Sequence, residues 1–238
     1  MIAGQAFGIP DSHAAEVIRR LRENDQYVRQ TRSIRNRPKA TARHLANLVA
    51  ALMTGASSRT APDALKRVER CRISGNALQK LFFDDPVNIG DDFTRYFNDS
   101  EWSKHRPLDP INKRAPFHKI VIAARDTKKA REFNLVDVIE IVIDVLAEYP
   151  EVYGEVACST IAYDPDRNFA EFVLLACTYE QMLSWEYTPI YRKDGSKIAF
   201  WLNFNEQDND FTGLVERSMK INFELLQRFA KALRRGDA

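Results

Sequence analysis

The sequence predicts an α+β protein in three parts. A mainly α-helical N-terminal domain spans residues 1–72, a linker with one short helix spans 73–114, and an antiparallel sheet domain with two long helices spans 115–238. Three observations point there. The 238 residues carry a formal net charge of +2, yet residues 1–72 hold 14 basic and 6 acidic side chains while the remainder holds 21 and 27. In the first part apolar residues recur at helical spacing. In the last part they alternate between turn signals, as strands do. A part at net +8 joined to one at net −6 suits different partners, the basic one a polyanion.

Composition narrows the class. With 45% hydrophobic and 11% aromatic residues and only nine Gly, collagen-like and wholly disordered chains are excluded. No run reaches the ~18 uncharged apolar residues of a spanning helix. The greasiest stretch, Leu135–Leu146, is broken by Asp137, Glu140 and Asp144. Met1–Gln5 lacks the charged and apolar blocks of a signal peptide. Cys71, Cys158 and Cys177 are too few and too scattered for a disulfide framework. The expectation is a soluble cytoplasmic protein with no membrane partner.

The N-terminal segment carries the sharpest local pattern. Pro10 and Asp11 suit a helix start, and Ala14, Val17, Ile18 and Leu21 stand at i, i+3, i+4 and i+7. A short helix, a turn at Gly8 and a second amphipathic helix result. This resembles the helix-turn-helix of phage and bacterial repressors. That family has a small residue four before the turn Gly, apolar residues flanking it, and two more facing inward from the second helix. Gly4, Gly8, Phe7, Ile9, Ala14 and Val17 fill those places. The resemblance covers ~20 residues of a degenerate pattern. It implies that Asp11–Arg20 is the recognition helix, with Ser12, His13, Glu16, Arg19 and Arg20 on its outer face.

The next stretch adds charge. Between Arg19 and Arg43 lie nine basic residues, Arg19, Arg20, Arg22, Arg29, Arg32, Arg35, Arg37, Lys39 and Arg43, against Glu23 and Asp25 alone. Gln26–Ala40 has little helical periodicity and contains Pro38. Arg29, Arg32, Arg35 and Arg37 on an extended or hairpin segment resemble the wing of winged helix-turn-helix proteins. Arginine forks grip phosphates bidentately and enter minor grooves. Thr41 then caps a helix through Met53, with Leu45, Leu48, Val49 and Leu52 in one stripe and Gly55 ending it. Thr60, Pro62 and Asp63 start another, carrying Leu65 and Val68 and fading near Arg72. A second placement puts the helix-turn-helix across this pair, with Ser57 and Ser58 in the turn.

The remainder reads as linker and sheet. From Arg72 to Pro116 turn residues dominate, with Phe93, Tyr96 and Phe97 suggesting one short helix. Phe117–Ala124 looks like a strand. Leu135–Tyr149 is a helix with its acids in one line, calling for burial against a sheet, with a partner subunit as a further candidate. Glu155–Tyr163 and Phe169–Thr178 flank the turn Asp164–Asn168; pairing Tyr163 with Phe169 would put Cys158 and Cys177 on opposite faces. Asp194-Gly195 predicts a type I′ hairpin pairing Lys193 with Ser196, and Pro189 argues for a sheet edge. Leu214–Ile221 reads as a further strand before a helix capped by Asn222, the alternative being one helix from Thr212 to Arg234.

Catalytic chemistry is not written locally. There is no Gly-rich phosphate loop, nucleophile elbow or metal-ligand spacing, and His13, His44, His105 and His118 stand apart. Asp164, Asp166 and Glu171 could hold a cation, though turn acids are usually solvated. The expectation is no enzyme, no cofactor and no metal. It is instead a sequence-specific double-stranded DNA-binding regulator of phage or mobile-element type, a repressor more than an activator, dimerising through its C-terminal domain. In that reading Ser12 and His13 meet base edges or phosphates, Glu16 accepts from a cytosine amino group so that Glu16→Ala alters sequence preference more than affinity, and Arg19, Arg20, Arg29, Arg32, Arg35, Arg37, Lys39 and Arg43 neutralise phosphates. The alternative is a packaging protein resembling a small terminase subunit, which forms rings; a third reading is a module whose basic end binds an acidic protein.

Overall fold

The computed structural model of the chain describes residue 4 and residues 7–28, 39–73, 132–153, 159–176, 198–205 and 219–236. Several expectations fall outside them: the Arg29–Arg37 segment, the short helix at Phe93–Phe97, the strand Phe117–Ala124, the turn at Asp194-Gly195, Pro189, Cys158, Cys177, His105 and His118. The described residues form five α-helices and a five-stranded sheet, so the chain is α+β.

Three helices come first. α1 (Asp11–Glu23) buries Ala14, Val17 and Leu21. α2 (Ala42–Met53) begins at a cap that its own sequence supplies. The Thr41 hydroxyl accepts from the His44 backbone N–H, and the His44 ring returns the favour at the Thr41 backbone N–H. Gly55, at φ +63°, lets the chain leave it. α2 is buried almost throughout, including Asn47, which the stripe alone would place off the core and which donates to the Gln26 carbonyl at 2.7 Å. α3 (Ala61–Val68) buries Leu65 and Val68.

β1 (Arg72–Ile73) follows directly and lies at one edge of a sheet whose other members come late in the chain. They are β2 (Thr160–Asp164), β3 (Phe169–Ala176), β4 (Ile198–Asn205) and β5 (Met219–Asn222), in the spatial order β1-β4-β3-β2-β5 with every pair antiparallel. The β2–β3 register differs from the expected one by a residue: Tyr163 faces Ala170, and Asp164 faces Phe169. The turn explains the shift. The Asp164 carboxylate accepts from the backbone N–H groups of Asp166 and Arg167, and Asn168 takes φ +47°, so four residues cross over instead of five. The inference that Cys158 and Cys177 face opposite sides loses its premise.

α4 (Leu135–Glu148) opens on a second capping box, between Asn134 and Asp137, and stops at Pro150, which begins a 3₁₀ turn. Its apolar surface is covered by α2 on one side and by α5 (Phe223–Arg235) on another, both from the same chain. The end of the chain follows the strand-then-helix reading. β5 leads into α5, Asn222 caps it by accepting from the Leu225 N–H, and Gly236 at φ +74° closes it. Ile161, Tyr163, Ala170, Phe172 and Ile221 lie on one face of the sheet by their register and join the helices in one apolar core. That core contains residues from before and after Arg72, so the charge boundary is not a boundary in packing. Among the described residues no helix is long and apolar enough to cross a membrane.

Candidate nucleic-acid interface

The turn before α1 is built around two glycines for two different reasons. Gly8 sits in the left-handed region at φ +63°, which costs an L-residue ~1–2 kcal/mol. The Ile9 N–H then reaches back to the Gly4 carbonyl at 3.0 Å, the closing bond of a Schellman turn. Gly4 is buried where the incoming chain passes closest. A Cβ there would stand 2.1 Å from Asp11 Oδ1, 3.1 Å from the Ile9 carbonyl oxygen and 3.2 Å from Asp11 Cα. A side chain at position 4 would have to turn the Asp11 carboxylate aside and press on the backbone at Ile9 and Asp11 by a few tenths of an ångström. Phe7 and Ile9 pack against the core from either side of the turn.

α1 therefore leaves the turn with its apolar face fixed inward. Ser12 and Arg19 are exposed, and His13, Glu16 and Arg20 are partly so. The outer face is already paired. Arg19 grips Glu16 with two nitrogens at 2.7 and 2.5 Å and reaches Glu23 at 2.5 Å. Arg20 meets the same two acids at 3.3 and 3.1 Å. The Arg19 guanidinium holds the Glu16 carboxyl below its ordinary range. With Asp11, Glu16 and Glu23 against Arg19, Arg20 and Arg22, the helix carries no net charge.

Behind α1 lies a contact that spacing did not disclose. Arg22 donates through Nε to the Val28 carbonyl at 3.1 Å and stacks 5.6 Å from the centre of the Tyr27 ring. Tyr27 is buried, with its ring 5.5 Å from that of His44 in the first turn of α2. The chain is thus held just before position 29, and Lys39 is exposed. The only hint in the sequence was an isolated aromatic residue in a polar stretch.

Arg43 belongs to a different group. Its guanidinium lies 2.5 Å from Asp137 and 3.1 Å from Glu140 on α4, and 3.6 Å from Glu69 after α3. It ties α2 to α4 and to the end of α3. The structure brings Ser12, His13, Glu16, Arg19 and Arg20 onto one helix, leaves Lys39 exposed, and pairs Arg43 with Asp137, Glu140 and Glu69. Arg29, Arg32, Arg35 and Arg37 lie outside the described residues.

The Asp164 carboxylate is engaged within its own turn. One oxygen of that carboxylate is taken by the turn and the group lies near Arg167 at 3.8 Å. Among the described residues no three His, Cys, Asp or Glu side chains converge as metal ligands would. Glu171 is half-buried, which pushes its carboxyl pKa up, with Lys220 pulling the other way. Comparison with protein families, curated proteins and solved structures finds no match to this chain.

Proposed function

We propose that the chain is a sequence-specific double-stranded DNA-binding transcriptional regulator, a repressor of phage or mobile-element type. One observation carries the reading: the Gly4–Gly8 turn, which sets α1 with Ala14 and Val17 buried and Ser12, His13, Glu16, Arg19 and Arg20 outward. A helix presented in this way, followed at once by the most basic stretch of the chain, suits a major groove flanked by phosphates. In this reading Ser12, His13 and Glu16 read base edges. Arg29, Arg32, Arg35 and Arg37 form a wing that neutralises backbone charge. The sheet-bearing C-terminal part pairs two copies, so the operator is a palindrome with half-sites roughly 10 base pairs, or a multiple, apart.

Selection of bound sequences from random duplex DNA tests this directly. Enrichment of a palindrome is the expected result, and a pool without enrichment removes the regulator. The wing has its own measurement. Arg35→Ala with Arg37→Ala should weaken duplex binding and lower the slope of log affinity against log salt by about 2. An unchanged slope removes the wing but leaves α1 in place.

A further inference from the structure

The C-terminal helix has a charge pattern opposite to the acidic half in which it lies. α5 turns Phe223, Leu225, Leu226, Phe229, Ala230 and Ala232 inward. On its outer side Glu224 pairs with Arg228 at 2.6 Å. Beyond Arg228 the helix carries Lys231, Arg234 and Arg235, all exposed, and no acid; Asp237, outside the described residues, is the next one in sequence. The fold brings a fourth cation to this end. Lys39 lies against Gly236, where a Cβ would stand 3.3 Å from its Nζ and 3.7 Å from its Cε.

The negative end of a helix dipole accounts for cations within the last turn. It does not account for the convergence of four from two distant stretches of chain. Exposed faces normally interleave acids with bases, as α1 does. Among the described residues Lys39, Lys231, Arg234 and Arg235 make no ion pair, a trait they share with the scattered Arg59 and Lys220, while Arg19, Arg20, Arg43, Lys66 and Arg228 all do. We infer that Lys39, Lys231, Arg234 and Arg235 form a second phosphate-binding surface, and that its partner is the backbone of the same duplex; this rests on the proposed DNA-binding function. The surface adds affinity without sequence preference, because phosphates are the same at every base pair.

The test uses the full chain, a 25-base-pair duplex and fluorescence anisotropy across a salt series. The variant K231Q/R234Q/R235Q is compared with K66Q/R70Q/K220Q, which loses the same charge from exposed positions elsewhere, and circular dichroism verifies that both are folded. The first should bind roughly 10- to 100-fold more weakly, with the log–log salt slope lowered by about 2–3. The second should keep the wild-type slope. If both variants share one slope, the surface is wrong and DNA binding stands. If the wild type ignores duplex, heparin chromatography decides. Earlier elution of the first variant alone keeps a polyanion surface and removes DNA as its partner; equal elution, or no retention of the wild type, removes the surface.

Discussion

Glu16 faces two arginines before it can face a base. Exposed pairs of this kind are weak because water screens them, so phosphate can displace the carboxylate at small cost. The expectation that Glu16 governs sequence preference more than affinity therefore needs a second effect. Glu16→Gln should leave the thermal midpoint within a few degrees of wild type. Freed of one acid, Arg19 should meet phosphate more readily and raise non-specific duplex affinity, steepening the salt slope by about 1. Anisotropy on an unrelated duplex reads that change. A slope that stays the same would mean that Arg19 never reaches the backbone.

Elements whose ends are written locally were legible in advance. Thr41 to Gly55 was readable because a cap, a stripe and a left-handed stop all lie within fifteen residues. Asn222 announced α5 for the same reason. The β2–β3 register was not readable, because the Asp164 carboxylate chooses between turns by bonds that composition does not specify. The α2 cap has a consequence for pH. His44 Nδ1 accepts from the Thr41 N–H at 3.1 Å, which only the neutral ring can do. Burial holds the His44 pKa below its ordinary 6.5, with Glu140 acting in the opposite sense. As pH falls the unfolded chain takes up its proton first, so the contribution of the cap is complete above 6.5 and declines below it. Unfolding by urea at pH 8 and pH 5.5 should show this loss. His44→Gln keeps an acceptor at that position and should reduce the difference between the two pH values. Equal pH dependence in both proteins would exclude His44 as its source.

Across the whole molecule, the two halves that differ in charge are joined by that difference. Arg43, with a third of its side chain exposed, draws Asp137, Glu140 and Glu69 together across 94, 97 and 26 positions. Sequence showed the acids of α4 as a line on one helix and Arg43 as part of a basic run. Nothing local could show that they meet. Arg43→Ala leaves three carboxylates facing one another and should cost about 1–2 kcal/mol, less than a fully buried pair because water reaches the site. Adding Glu140→Gln should recover part of the loss in urea midpoint. Additive losses would mean that the two side chains act independently.

The covering of α2 by α4 also sets an order of events during synthesis. The face of α2 that packs on α4 is complete once Met53 is made, yet α4 itself begins only at Leu135. At ~5–20 residues per second the ribosome needs about 4–16 s to make the intervening chain. For that interval the nascent chain lacks the α4 contact of α2 and the β4 partner of β1, and both surfaces invite association with neighbouring chains. A chaperone that holds the emerging chain should therefore raise soluble yield most when it acts between those two points.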